Sequence, residues 1–155
     1  MTTTTTATSD KLIVVCDDSD DILAMLYTLL RRAGYRVETV HGYKELQELL
    51  KTVKPDLFIL DVLMPEFDGF WIAEELQLQG HQTPMIFITA YDSPALRLNA
   101  PVLGAVEYLM KPIDPDVLLP KIAKAFNFKA SETNWNLRVT GPKRFEDDPP
   151  PFPLQ

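Results

Sequence analysis

Five short apolar runs alternate with segments of helical period between residues 11 and 127, and few architectures accept that pattern. Leu12-Ile13-Val14-Val15-Cys16 is continuously apolar and too short for a buried helix, which suits a strand covered on both faces. Ile22, Leu26, Leu29, Leu30 and Ala33 then recur at helical spacing, with Ser19 as N-cap, Asp20 and Asp21 in the first turn and Gly34 as the stop. The alternation continues with a strand over 36–40, a helix over 43–53, a strand over 57–60, a helix over 70–78 and a strand over 85–89. A weaker helix over 94–103, a strand over 107–110 and a helix over 116–126 complete it. Strict strand–helix alternation predicts an α/β fold, a doubly wound five-stranded parallel sheet with helices on both faces. In such sheets, sites lie beyond the carboxyl ends of the strands.

The 155 residues suffice for one ordinary domain, and 46% hydrophobic composition can fill its core. Residues 1–10 are threonine-rich without apolar periodicity and are expected to form a flexible tail. Residues 128–155 are expected to be a proline-rich extension, Trp135 and the Pro149–Pro153 stretch included, with no output domain after it. A net charge of -7 disfavours a nucleic-acid partner. The single cysteine excludes an internal disulfide framework, and no apolar run reaches the roughly 20 residues of a membrane span. No secretion signal opens the sequence, so the expected setting is cytoplasmic.

The residues at the strand ends are all polar or charged. Asp17 and Asp18 follow the first strand, Asp61 the third, Thr89 the fourth and Lys111 the fifth. The topology would bring three carboxylates, a hydroxyl and an ammonium to one edge. Two carboxylates about 4 Å apart repel by roughly 4 kcal/mol at an effective dielectric near 20, and one lysine cannot neutralise three acids. Either one acid is protonated at neutral pH or a divalent cation sits among them, and oxygen ligands of this kind select Mg²⁺ or Mn²⁺. A cation beside a lysine and a hydroxyl is equipment for phosphoryl transfer. Asp61 ends the central apolar run and precedes a loop able to bend around a phosphate, so it is the candidate nucleophile.

Asp17-Asp18, Asp61 with Met64-Pro65 and Asp68-Gly69, Thr89-Ala90 and Lys111-Pro112 stand in the order and spacing of a known family. From Lys11 to Asn127 the sequence resembles the receiver domain of two-component response regulators, a flavodoxin-like fold, in the stand-alone form of chemotaxis regulators. The resemblance implies that Asp61 accepts a phosphoryl group from a sensor histidine kinase or histidine phosphotransfer protein. It implies that Asp18, Asp61 and the Leu63 backbone carbonyl hold Mg²⁺ directly while Asp17 acts through a coordinated water. Lys111 would pair with a phosphoryl oxygen or with Asp61. Thr89 would turn its hydroxyl onto the phosphoryl group, and Tyr108 matches the switch aromatic that moves inward behind it. The output would be a changed surface on the fourth helix, fifth strand and fifth helix, read by a downstream effector protein, with the chain a monomer or a phosphorylation-dependent dimer.

Two residues depart from the pattern in an informative way. Leu63 and Tyr91 stand where residues tune hydrolysis of the aspartyl phosphate, and both are bulky and uncharged, which implies a long-lived phosphoryl state. Pro101 should shorten or kink the fourth helix, and Pro120 should at most bend the last one. Cys16 reads as core, His41 and His81 as exposed loop residues without companion ligands, and Trp71 as packing. Rival readings are a phosphatase of the haloacid dehalogenase type, which wants a second acid where Leu63 stands, a receiver-like scaffold that takes no phosphate, and a relay that passes the group to another histidine.

Overall fold

The computed structural model describes residues 10–127, so the threonine-rich start, Trp135 and the proline-rich end lie outside the described residues. In chain order the elements are β1 (Leu12–Cys16), α1 (Asp20–Arg32), β2 (Arg36–Val40), α2 (Tyr43–Leu50), β3 (Leu57–Asp61), α3 (Gly69–Leu78), β4 (Met85–Thr89), α4 (Pro94–Asn99), a 3₁₀ turn (Pro101–Leu103), β5 (Ala105–Met110) and α5 (Pro115–Phe126). All strands are parallel, in the order β2-β1-β3-β4-β5. The doubly wound sheet expected from the alternation is thus present, with the order reversal between β1 and β3.

Each buried strand divides its residues between two cores, as side chains of period two must. Val14, Cys16, Phe58, Leu60 and Phe87 face Leu46 of α2, Phe70 and Leu76 of α3 and Leu96 of α4. Ile13, Val15, Leu57, Ile59, Ile86 and Ile88 face Leu26 and Leu30 of α1 and Leu118 and Ile122 of α5. The α1 face is rotated from the expected one: Leu23, Leu26 and Leu30 are buried, Ile22 and Leu29 are partly buried, and Ala33 is the exposed C-cap.

Some boundaries differ from the sequence pattern for local reasons. α2 stops at Leu50 because the Lys51 and Thr52 amides turn back to Glu48 and Leu49 three residues earlier, tightening the end into a turn before Val53. Pro101 ends α4 early, as expected, and the chain continues as the 3₁₀ turn with left-handed Gly104 after it. β5 begins at Ala105, where a register shift opposite Met85 and Ile86 absorbs one residue. α5 runs through Pro120 from an Asp114 N-cap.

Candidate functional site

The sheet register assembles the site. Cys16 pairs with Leu60, Asp61 with Ile88 and Thr89 with Met110, so Asp17, Asp61, Thr89 and Lys111 emerge side by side at one edge. Backbone bonds fix the exits: Asp17 N–H to the Val40 carbonyl at 3.1 Å, Val62 N–H to Ile88 at 2.9 Å and Lys111 N–H to Thr89 at 2.7 Å. The Lys111–Pro112 peptide is cis.

Asp17 is fully buried and Asp61 is 2% exposed, whereas Asp18 faces solvent. Lys111 Nζ lies 2.9 Å from Asp17 Oδ2 and 3.3 Å from Asp61 Oδ2. The ammonium therefore bridges both buried acids and sits nearer to Asp17, a second partner beyond the Asp61 pairing that the resemblance implied. Asp17 Oδ1 accepts the Ser19 N–H at 2.9 Å, and Asp61 Oδ1 accepts the Leu63 N–H at 3.3 Å. One cation among these acids leaves the cluster short of positive charge. Burial first, then the Asp17 charge, pushes the Asp61 carboxyl up to about 7 against the opposing pull of Lys111. Burial alone would lower Lys111, but the Asp17 hydrogen bond and the charges of both acids outweigh it and hold the ammonium above its ordinary value.

One carboxylate oxygen each from Asp17, Asp18 and Asp61 lies within 4.8 Å of the other two. That spacing, an all-oxygen donor set and a shortage of positive charge fit a small hard divalent cation such as Mg²⁺. Thr89 is fully buried, and its Oγ1 accepts the Tyr91 N–H at 3.1 Å. The Tyr108 hydroxyl donates to the Tyr91 carbonyl at 3.2 Å. Leu63 and Tyr91 are both partly buried and pack against the α3-side core.

The loop after Asp61 is held in ways the sequence pattern did not reveal. Phe67 N–H bonds to the Pro65 carbonyl at 2.8 Å around Glu66, whose φ is 68°, giving a tight turn of a strained class. Phe67 stacks on Trp71 at 4.2 Å between centroids, and Tyr43 packs edge-on against both rings, so Trp71 is packing as expected and also anchors this loop. Gly69 is required for space: a Cβ there would sit 2.4 Å from the Asp61 carbonyl oxygen. The Pro65–Gly69 stretch carried turn signals, but only the folded chain brings Gly69 onto Asp61.

Cys16 is buried, and burial followed by the neighbouring acids pushes its thiol up to about 12, so it is inert core. His41 departs from expectation. It is half exposed but has companions, since its ring bridges Asp20 at the start of α1 and Glu45 in α2. His81 packs edge-on against Phe58 and is partly buried. No helix among the described residues is long and apolar enough to cross a membrane.

Fold and site together define a parallel α/β domain with an acid pair, a central aspartate, a hydroxyl and a lysine at one sheet edge. The chain belongs to the response regulator receiver domain family, whose model matches residues 13–123. It is 36% identical over 99 residues to the alkaline phosphatase synthesis transcriptional regulatory protein PhoP of Bacillus subtilis, covering 64% of this chain and 41% of that protein. It is 34% identical over 106 residues to the response regulator MprA of Mycobacterium ulcerans, covering 68% of this chain and 46% of that one. The matches thus span less than half the length of these relatives. A CheY-like receiver domain protein from Methanospirillum hungatei superimposes with a TM-score of 0.71 at 28% identity, covering 77% of this chain and 95% of that one. Chemotaxis protein CheY4 of Vibrio cholerae gives a TM-score of 0.71 at 29% identity, covering 76% and 99%.

Proposed function

We propose that residues 11–127 form a Mg²⁺-dependent switch that accepts a phosphoryl group on Asp61 from the phosphohistidine of a sensor histidine kinase or histidine phosphotransfer protein. The observation that carries this reading is the buried Asp61 carboxylate, 3.3 Å from Lys111 Nζ, with an oxygen each from Asp17 and Asp18 within 4.8 Å. In the transfer an Asp61 oxygen bonds to phosphorus as the phosphorus–nitrogen bond of the donor breaks, and the bonding pair stays on the imidazole nitrogen. Lys111 neutralises charge on a phosphoryl oxygen during that exchange. Bound Mg²⁺, or Mn²⁺ in its place, supplies further charge neutralisation there. Asp18, Asp61 and the Leu63 carbonyl would hold it, with Asp17 lending its charge beside them.

Thr89 then donates its hydroxyl to the phosphoryl group, which adds about -1.5 to -2 charge, and Tyr108 follows through the Tyr91 backbone. The output is a change in protein binding on the α4–β5–α5 side, without turnover of a substrate. Uncharged Leu63 and Tyr91 crowd attacking water and lengthen the life of the acyl phosphate.

Incubation with Mg²⁺ and acetyl phosphate, followed by intact-mass measurement, tests the reading. The expected result is a gain of one phosphoryl group, absent with EDTA and absent in Asp61→Asn. No gain either from acetyl phosphate or from a panel of phosphorylated histidine kinases would refute it and leave a receiver-like scaffold.

A further inference from the structure

Beyond the acid cluster, several groups converge on the loop between β4 and α4. Tyr91 lends its N–H to Thr89 Oγ1 and its carbonyl to the Tyr108 hydroxyl, so its backbone stands between the two side chains. Tyr108 is also gripped from its ring face. The Arg97 guanidinium lies 5.2 Å from the ring centroid, and Arg97 Nε donates to Asp92 on the same loop as Tyr91. The four groups Tyr91, Asp92, Arg97 and Tyr108 therefore close a circuit. Arg97 lies in the last turn of α4 because Pro101 has no N–H for the Arg97 carbonyl, which ends the helix at Asn99 and passes the chain into the 3₁₀ turn.

We infer that Arg97, anchored by Asp92, is a positioning residue that holds the Tyr108 ring against the Tyr91 carbonyl and so sets the resting balance of the switch. The inference rests on reading Thr89 and Tyr108 as the coupled pair. A planar guanidinium suits this place, since one face can lie on an aromatic ring while its edge donates to a carboxylate. Burial, followed by the Asp92 charge, pushes the Tyr108 phenol up to about 12 against the opposing Arg97, so its hydroxyl stays a donor through the neutral range. The Arg97 and Asp92 side chains are 52% and 51% exposed, so each contact is individually weak. A two-state equilibrium nevertheless responds to a weak bias, and a cation–π contact at an exposed site shifts it by about fivefold. Arg97 thus favours one loop arrangement before any phosphoryl group arrives.

Two measurements on the full chain test this. The first is ¹⁹F NMR of protein labelled with 3-fluorotyrosine, with the Tyr108 resonance assigned by its loss in Tyr108→Phe. Arg97→Ala should move that resonance towards the position of a solvent-exposed tyrosine, Asp92→Ala should move it the same way, and Arg97→Lys should restore part of the shift. The second is titration with beryllofluoride and Mg²⁺, a phosphoryl mimic. Arg97→Ala should weaken binding about fivefold, and this effect should vanish in a Tyr108→Ala background. An unmoved resonance overturns the inference, as does an affinity loss that persists undiminished without Tyr108. Failure of the wild type to bind beryllofluoride overturns the switch reading itself, and the resonance shift then separates the two failures.

Discussion

Replacing Asp61 by Asn should stabilise the metal-free protein near pH 8, and the gain should shrink as pH falls and vanish below the ordinary carboxylate value of 3.8. Asp17 and Asp61 are both buried and share one ammonium, 2.9 Å and 3.3 Å away. The folded state raises the Asp61 carboxyl from its ordinary 3.8 to about 7. Between those values the folded protein holds a proton that the unfolded chain has lost. The folded state binds more protons, so the free energy of unfolding falls as pH rises through this window. A gap of about three pH units, at 1.36 kcal/mol each, makes the full penalty about 4 kcal/mol above pH 7. An amide of the same shape still accepts the Leu63 N–H, removes the penalty and leaves Lys111 to Asp17 alone. Thermal melts by circular dichroism in EDTA should show the variant higher in Tm by on the order of 10 °C near pH 8, with the gap roughly halved at pH 5 and closed below 3.8. Saturating Mg²⁺ should shrink or reverse the difference, because only the wild type gains the cation. A gap independent of pH, or a variant that melts lower near pH 8, would refute the electrostatic account.

Three further outcomes follow from the same site. Asp18 faces solvent, so Asp18→Asn should leave the metal-free Tm nearly unchanged while removing the Mg²⁺-dependent rise, about 2.7 kcal/mol at a hundredfold excess over Kd, in melts with and without the ion. Gly69→Ala should lose about 1–3 kcal/mol and much of its acetyl-phosphate reactivity, because the new Cβ displaces the Asp61 carbonyl, while Gly42→Ala, with nothing within 4 Å, should retain reactivity. Leu63→Asn should speed decay of the acyl phosphate about tenfold, or about 1.4 kcal/mol of barrier, when intact mass is followed after the donor is removed. Equal or slower decay in that variant would end the shielding argument.

What the sequence made legible was whatever depends on burial pattern and register. Strands buried on both faces, such as Leu57–Asp61, write themselves as continuous apolar runs, and the polar residue ending each run is then a site candidate. Asp17, Asp61, Thr89 and Lys111 are such residues, and they converge in the fold. Features set by neighbours distant in sequence were not legible. The buried face of α1 lies about one position from the stripe that periodicity suggests, because Ile22, Leu23, Leu26 and Leu29 are all apolar and periodicity alone does not centre the stripe. The His41 bridge joins residues 21 positions apart. The Arg97–Tyr108 contact depends on where Pro101 stops α4, and the Gly69 constraint depends on α3 starting directly against the Asp61 peptide.

The central claim is that one particular carboxylate takes the phosphoryl group. Protein treated with acetyl phosphate and Mg²⁺ can be reduced with borohydride, which converts an acyl phosphate to the alcohol, and then digested and sequenced by mass spectrometry. The account predicts a reduced side chain at Asp61 alone, lost when Mg²⁺ is chelated. Reduction at Asp17 or Asp18 with Asp61 intact would contradict it.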